Sequence, residues 1–470
     1  MSDHVTPIIR NRDEAEAFLD ERIGRGVQPG LERITGLLAF MGDPQATYPT
    51  IHIAGTNGKT TVSRMIQQIL GAHGLATGGF TSPHLERIEE RFSIHGVMLD
   101  PYDFTDAVRD ISWFVTGYEE SSGHLVTYFE VTAALAFSIF ATATVDVAVI
   151  EVGLGGRLDA TNVLDSAVTV ITGIDIDHTE FLGTTIAEIA REKVAIVPEG
   201  GTLVSGVLPD EAVDVIADVV AEKSVNWIRY GQDFEVLSAD VGVGGWQASI
   251  RGVFGEYNEL FLPLHGRHQV SNLATAIASC EMFIGRALDS DLLQLAVGAT
   301  SAPGRLEVVG HRPVMILDGS HNAQSVRGLA DTLRDEFPPM PWQLVLGIKG
   351  ERSVAEVVEP LSGLVGEVFA VAVDDPTSHL PDAVAAEAAR VLDVPANAYE
   401  SVSEAVEAAK ASAGVDGGVV VAGSLYLVGE VRLETRPSED RMGEAHLRFS
   451  AEVASDDEDG AEEPVYLPDE

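Results

Sequence analysis

Cysteine is almost absent from this sequence: Cys280 stands alone among 470 residues, so no intrachain disulfide can form. Its place in an apolar helical stretch after Asn272 suits a small buried hydrophobe better than a nucleophile. Positive charge is scarce as well. Lys and Arg number 30 against 73 Asp and Glu, a formal net charge of −43. Nucleic acid and anionic membrane call for a basic surface, so this balance argues against both as partners. Nine of the acids lie in the last twenty residues, yet the remainder is still strongly acidic, as a solvated, self-repelling surface would be. Lysine is rare at five: Lys59, Lys193, Lys223, Lys349 and Lys410. In a sequence that otherwise uses arginine, a retained lysine invites a chemical reason. Long hydrophobic runs are missing too. Val131 to Ile150 approaches membrane-spanning length but contains Asp146 and three threonines and changes character near Val145, so it reads as a buried helix followed by a buried strand. The start, Met1-Ser2-Asp3-His4, has no basic segment followed by an apolar one, and the expectation is a cytoplasmic protein.

What is present is an alternation of strand-like and helix-like runs, without internal repeats, over a length that accommodates two or three domains. Thr50 to Ala54, Val145 to Val152 and Val168 to Ile174 are apolar without alternation, as strands covered on both faces are. Phe234 to Leu264 alternates polar with apolar residues and reads as antiparallel ribbon at the sheet margin. Ser301-Ala302-Pro303-Gly304 reads as a hinge. A second alternating unit follows, with strands at Val314 to Asp318, Gln343 to Gly347, Val368 to Val373 and Val419 to Ala422. The expected fold is α/β: a mostly parallel sheet domain of phosphate-loop type with helices on both faces (residues 1–302), then a smaller Rossmann-like α/β domain (303–434). An acidic, disordered tail is expected over 435–470.

The most telling segment is Gly55-Thr56-Asn57-Gly58-Lys59-Thr60-Thr61, set between an apolar strand and the helix-like run Val62 to Leu70. Strand, glycine loop and helix form a phosphate cradle: backbone amides and the helix N-terminus face the phosphate, Lys59 neutralises it, and a threonine hydroxyl can reach Mg²⁺. The spacing departs from G-x-x-x-x-G-K-[ST], since Ile53 occupies the position of the usual first glycine. Other strand-like runs of the first domain also end in polar residues, where ligands sit in open α/β sheets. These ends are Thr81-Ser82-Pro83-His84-Leu85, Glu151 to Asp159, and Asp175-Ile176-Asp177-His178. Magnesium favours oxygen ligands, so Ser82, Glu151 and Thr60 are its candidates; alone, His178 reads more readily as a hydrogen-bonded histidine. Lys193, in the amphipathic run Ile186 to Val197, reads alone as a solvated helix-face lysine. Gln269 and Asn272 share a helical face and can present amides to a base. Arg305 follows the hinge, and Asp318 and His321 end the second unit's first strand. If that unit folds over the first, Arg305 could neutralise phosphate charge and Asp318 could take ribose hydroxyls.

Together these blocks resemble the folylpolyglutamate synthase and dihydrofolate synthase family of the Mur ligase superfamily, over roughly residues 28 to 432. The blocks are Gly30-Leu31-Glu32-Arg33 with Leu37-Leu38, His52 to Lys59, Thr81 to Leu85, Thr127-Tyr128-Phe129-Glu130, Glu151 to Asn162, Asp177-His178, Leu317 to Asn322, and Ala422-Gly423-Ser424-Leu425-Tyr426. The resemblance implies an ATP-dependent carboxylate–amine ligase with its site in the cleft between the domains. ATP would phosphorylate a pterin-linked carboxylate, and L-glutamate would attack the acyl phosphate to give an amide, on dihydropteroate, on reduced folates, or on both. It implies Ser82, Glu151, His178 and Thr60 as ligands of two Mg²⁺ ions, and Lys193 as a carbamate ligand whose amine must have a depressed pKa. Lys59, Lys193, His178 and Arg305 would be catalytic. Asn57, Gly58, Lys59, Thr60, Asn272, Arg305, Asp318 and His321 would contact ATP. Ser82, Thr127, Tyr128, Phe129, Glu130, Leu158, Asp159 and Ala160 would approach the acceptor. A monomer is implied.

Two departures stand out. The loop ends Lys59-Thr60-Thr61, a form shared with cell-wall Mur ligases, where most folate relatives have Gly-Lys-Gly-Ser. Gly347-Ile348-Lys349-Gly350-Glu351 replaces an Asp-Lys-Asp triplet. A Mur-type peptide ligase and an ATP-binding module without chemistry are the alternatives. Against the first, Lys59 comes too early to leave room for a preceding nucleotide-sugar domain; against the second, Ser82, Glu151, His178 and Lys193 are all present.

Overall fold

The computed structural model describes residues 8–350 and 352–435. Its first sheet has eight strands: β1 (Thr50–Ala54), β2 (Thr77–Phe80), β3 (Phe92–Ile94), β4 (Val97–Met98), β5 (Val147–Glu151), β6 (Val168–Ile171), β7 (Thr202–Ser205) and β8 (Asn226–Arg229). They lie in the order β4-β3-β2-β5-β1-β6-β7-β8. Pairing is parallel from β2 across to β8, and only the β2–β3 and β3–β4 pairings are antiparallel. Alternate side chains of the buried strands enter different cores. Val147 and Val149 of β5 pack with Ile51 and Ile53 of β1 under the helices Lys59–Ala72 and Arg267–Ile284, whereas Ala148 and Ile150 face the helix Tyr128–Thr142. Cys280 is buried in the first of these cores, as a small hydrophobe.

Three further strands, β9 (Glu235–Gly242), β10 (Gly245–Arg251) and β11 (Glu256–Leu262), form an antiparallel sheet of their own. The ribbon is therefore antiparallel as expected but does not extend the margin of the main sheet. Trp246, Ala248 and Ile250 of β10 with Leu260 and Leu262 of β11 fill the core beneath the helix Arg267–Ile284, so burial against that helix decides its place. The last sheet contains β12 (Glu307–His311), β13 (Val314–Leu317), β14 (Trp342–Leu346), β15 (Val365–Ala370), β16 (Ala396–Ala398) and β17 (Gly418–Ala422), ordered β12-β13-β17-β14-β15-β16. It is parallel except for β12 and has an apolar core on each face. The last described helix, Leu425–Thr435, reaches the first residue of the expected tail, and 436–470 lie outside the described residues.

Candidate active site

At the end of β1 the chain turns through Gly55 (φ 155°) and Gly58 (φ 84°) into the helix Lys59–Ala72. A Cβ on Gly55 would lie 2.0 Å from Thr172 Oγ1, and one on Gly58 2.9 Å from Asn272 Oδ1, so space as well as φ demands glycine. The loop is tied to the segment following β6. Thr56 N donates to Gly173 O at 2.8 Å, Thr172 Oγ1 donates to Asn57 O at 2.6 Å, and Thr56 Oγ1 donates to Asp175 O at 3.0 Å. These bonds fix the backbone before any phosphate arrives.

Adjacency of strands assembles the rest. β5 lies beside β1 with Ile53 opposite Glu151, and β2 lies beside β5 with Phe80 opposite Ile150, so the residues after each strand meet at one edge. Thr60 Oγ1 donates to Glu151 Oε2 at 2.9 Å and Oε1 at 3.1 Å, and Ser82 N approaches Oε2 at 3.4 Å. Glu151 is only 1% exposed. Burial raises its pKa, against the pull of Lys59, Thr60, Ser82 and Arg305. Among the described residues no group of three His, Cys, Asp or Glu side chains forms a metal-binding cluster. The converging oxygens of Thr60 and Glu151, with Ser82 beside them, suit a hard cation that completes its shell with phosphate and water.

Lys193 is not a solvated helix-face residue. It is 5% exposed, and its Nζ donates to Gly55 O at 3.1 Å, the same carbonyl that Lys59 Nζ reaches at 3.0 Å. Burial first, and repulsion from Lys59 second, lower its pKa to about 7, against the attraction of Asp177 and Asp159. His178 takes a left-handed backbone (φ 50°) at the N-terminus of the short helix Thr179–Leu182. Its Nε2 lies 4.0 Å from Asp177 Oδ1, and burial lowers its pKa.

The last sheet, β12 to β17, closes the opposite wall. Both lobes together line a cavity of about 730 Å³ that includes Asn57, Gly58, Lys59, Thr60, Ser82, Glu151, His178, Lys193, Asn272, Arg305, Asp318 and His321. Asn272 Nδ2 donates to Gln269 Oε1 at 2.8 Å, so the two amides expected on one helix face are coupled. Asp318 is engaged with backbone, accepting from Leu306 N at 2.8 Å and Ser320 N at 3.0 Å. Arg305 is partly buried near Asp318 and Glu151, and desolvation lowers its pKa, against the attraction of both carboxylates. His321 donates through Nδ1 to Gly319 O at 2.7 Å, and burial lowers its pKa to about 4, leaving a neutral ring.

The expected acceptor residues lie outside this cavity, apart from Ser82. Thr127 caps the helix Tyr128–Thr142 in a reciprocal box with Glu130, whose carboxylate also accepts from Arg33 Nε at 3.0 Å. Phe129 packs on Phe80, with ring centres 6.0 Å apart, and the Tyr128 ring faces Arg91. Asp159 holds its own loop together through Leu154 N and the amide and hydroxyl of Thr161; Ala160 is buried and Leu158 partly exposed. Sequence reasoning missed several participants. Asn322 donates to Asp177 Oδ2 at 2.9 Å and lies 3.4 Å from Asn57 Oδ1, joining the two lobes at the loop. Its only signal was membership of the block Leu317 to Asn322. Thr172 and Arg352, which also line the cavity, carried none. Lys349, whose role the altered triplet left open, lines the cavity, pairs with Asp375 at 2.6 Å and sits 4.0 Å above the Tyr426 ring.

Comparisons with known proteins agree with this geometry. Residues 53–280 match the Mur ligase middle domain, and residues 304–425 match the Mur ligase, glutamate ligase domain. The dihydrofolate synthase/folylpolyglutamate synthase of Mycobacterium tuberculosis is 36% identical over 451 residues, covering 89% of this chain and 93% of that protein. The folylpolyglutamate synthase of Lacticaseibacillus casei is 33% identical, covering 85% and 93%. A crystal structure of the M. tuberculosis folylpolyglutamate synthase complexed with ADP and AMPPCP superimposes with a TM-score of 0.86 at 35% identity, covering 90% of this chain and 98% of that one. The chain belongs to the dihydrofolate synthase/folylpolyglutamate synthase family of Mur ligases.

Proposed function

We propose that this protein is an ATP-dependent ligase that joins L-glutamate in amide linkage to dihydropteroate and to reduced folates through an acyl phosphate. The observation that carries the reading is the single cavity in which the phosphate loop, the Thr60–Glu151–Ser82 oxygen group, the buried Lys193 and the second lobe's Arg305 and His321 meet. A carboxylate is a poor electrophile until one oxygen becomes a phosphate leaving group. Bringing two anions together requires fixed positive charge and exclusion of water rather than a protein nucleophile. Lys59 and the loop amides hold the phosphates, Arg305 meets the charge that develops on the transferred group, and Asn272 and Asp318 border the nucleoside. Thr60, Ser82, Glu151 and His178 are the residues that would hold Mg²⁺, which neutralises phosphate oxygens when bound. Burial and the neighbouring Lys59 lower the Lys193 pKa to about 7, which favours the neutral amine that captures CO₂ as a carbamate and would add an anionic oxygen to that set.

In the same proposal residues 1–302 bind nucleotide, residues 303–434 close over it, and Thr127 to Glu130 with Leu158 to Ala160 shape the acceptor's approach. The working unit is a cytoplasmic monomer; among the described residues no helix is long and apolar enough to cross a membrane. The test is an ADP-release assay with separated substrates, with the products weighed by mass spectrometry. Release should require L-glutamate together with dihydropteroate or a reduced folate, each acceptor gaining one glutamyl mass. Release dependent on neither acceptor overturns the reading, and use of only one overturns the double activity.

A further inference from the structure

Beside the active cavity, where the first lobe meets the hinge and the last helix, lies a separate crevice of about 230 Å³. Arg64 and Gln67 of the helix Lys59–Ala72 line one side, Arg87, Glu90 and Ser93 another, Ser301 and Pro303 of the hinge a third, and Arg432 of the helix Leu425–Thr435 the last. Arg64 also lines the narrow space between this crevice and the active cavity, with Arg305 and Pro83. The carboxylates nearby are committed elsewhere. Glu90 accepts from the amides of Leu85, Glu86 and Arg87 at 2.8, 2.9 and 3.1 Å. Glu307 accepts from Arg432 Nε at 2.9 Å, and Glu86 pairs with the same guanidinium. Gln67 is held between Ser63 and Ser93. Arg64, partly buried, makes no hydrogen bond or ion pair among the described residues. Desolvation lowers its pKa; Glu90 and, less strongly, Glu151 oppose this, while Arg305 and Arg432 add like-charge repulsion.

A guanidinium removed from water, crowded by two others and left without a partner is costly, and the cost is relieved by an anion with several acceptor oxygens. The crevice is smaller than a typical pocket for a drug-sized ligand, which is about 300 Å³ or more. We propose that it is a second anion site, taking one small oxyanion or dicarboxylate that bridges the first lobe, through Arg64 and Arg87, to the second, through Arg432. Such an anion would fasten the hinge without entering the reaction.

The experiment is calorimetric titration of the full chain with inorganic phosphate and, separately, with glutarate, while a non-hydrolysable ATP analogue saturates the loop. One saturable equivalent is expected, weakened at least about tenfold in Arg64→Met and less in Arg64→Lys, which keeps charge but not the planar fork. Heat from phosphate alone identifies an oxyanion of phosphorus, and heat from glutarate alone a dicarboxylate; either supports the site. Absence of saturable binding, or unchanged binding in Arg64→Met, overturns it. Arg64→Gln repeats the measurement should the methionine variant not fold. Glutarate could also enter the glutamate part of the ligase site, so the loss in Arg64→Met, not heat alone, assigns the binding to this crevice.

Discussion

Lys193 shows how much a single side chain's meaning depends on burial. In the sequence its helix reads as carrying a solvated cation, and only the family resemblance implies a carbamate, because amphipathic spacing does not say how deeply the edge of a face is covered. The structure places its Nζ on Gly55 O beside Lys59. The pKa is depressed from 10.5 to about 7. Below pH 7 both folded and unfolded chains hold the proton, and the folded one bears the full cost of a buried ammonium. The cost is relieved as pH rises from about 7 toward 10.5, where only the unfolded chain still binds the proton. In CO₂-free buffer Lys193→Met should therefore be more stable than the parent at pH 6, with the gap closing by pH 9, as urea denaturation at the two pH values would register. The same variant should lose at least about a hundredfold in turnover. It should also lack the carbamate carbon signal that ¹³CO₂ gives the parent in NMR; a variant that keeps both its rate and that signal would return Lys193 to a structural role.

At the scale of the element, β1 was legible from sequence because both of its faces are covered and an unbroken apolar run has few other uses. Its one polar interior residue, His52, is fully buried, with Nε2 2.8 Å from Thr161 Oγ1, and burial lowers its pKa to about 3. The unfolded chain binds this proton at about 6.5, so its contribution to stability is intact above pH 6.5 and is lost as pH falls toward 3. Comparing His52→Gln with the parent by urea denaturation should show about 2 kcal/mol less destabilisation of the variant between pH 7 and pH 5; equal losses would mean that the histidine is protonated in place. The loop after β1 permits a sharper test. Alanine at Gly58 must adopt a left-handed φ at a cost of about 1 kcal/mol and press on Asn272. Gly58→Ala should fold yet bind ATP analogues at least about tenfold more weakly in fluorescence titration, and undiminished affinity would show that the loop tolerates a side chain. Less was legible where pairing partners decide the outcome. Alternation in β9 to β11 announced half-exposed antiparallel strands, but nothing local told that they would leave the main sheet and pack beneath the helix Arg267–Ile284.

At the scale of the molecule, the order of motif blocks made the two large α/β sheets and the cleft between them readable, while contacts across the cleft were not. Asn322 reaches Asp177 across 145 residues of sequence and the loop residue Asn57 across 265, and no local period encodes such meetings. Charge acts on this same scale. A net −43 spread over the chain makes the compact state repel itself, whereas Lys59, Arg305 and the loop amides attract a polyanion. Salt should act on these two features with opposite sign. Raising ionic strength from 0.1 to 1 M shortens the screening length from about 10 to about 3 Å, which weakens self-repulsion and nucleotide attraction together. The midpoint of thermal unfolding should therefore rise by several degrees in NaCl and equally in KCl, while the affinity for an ATP analogue falls in the same titration. Uncharged sucrose is the control for excluded-cosolute stabilisation, since it should raise the midpoint without lowering affinity. A midpoint that is flat or falls with salt would mean that the acids are locally neutralised, and the acidity would then need an explanation in specific ion pairs rather than in the field of the whole protein.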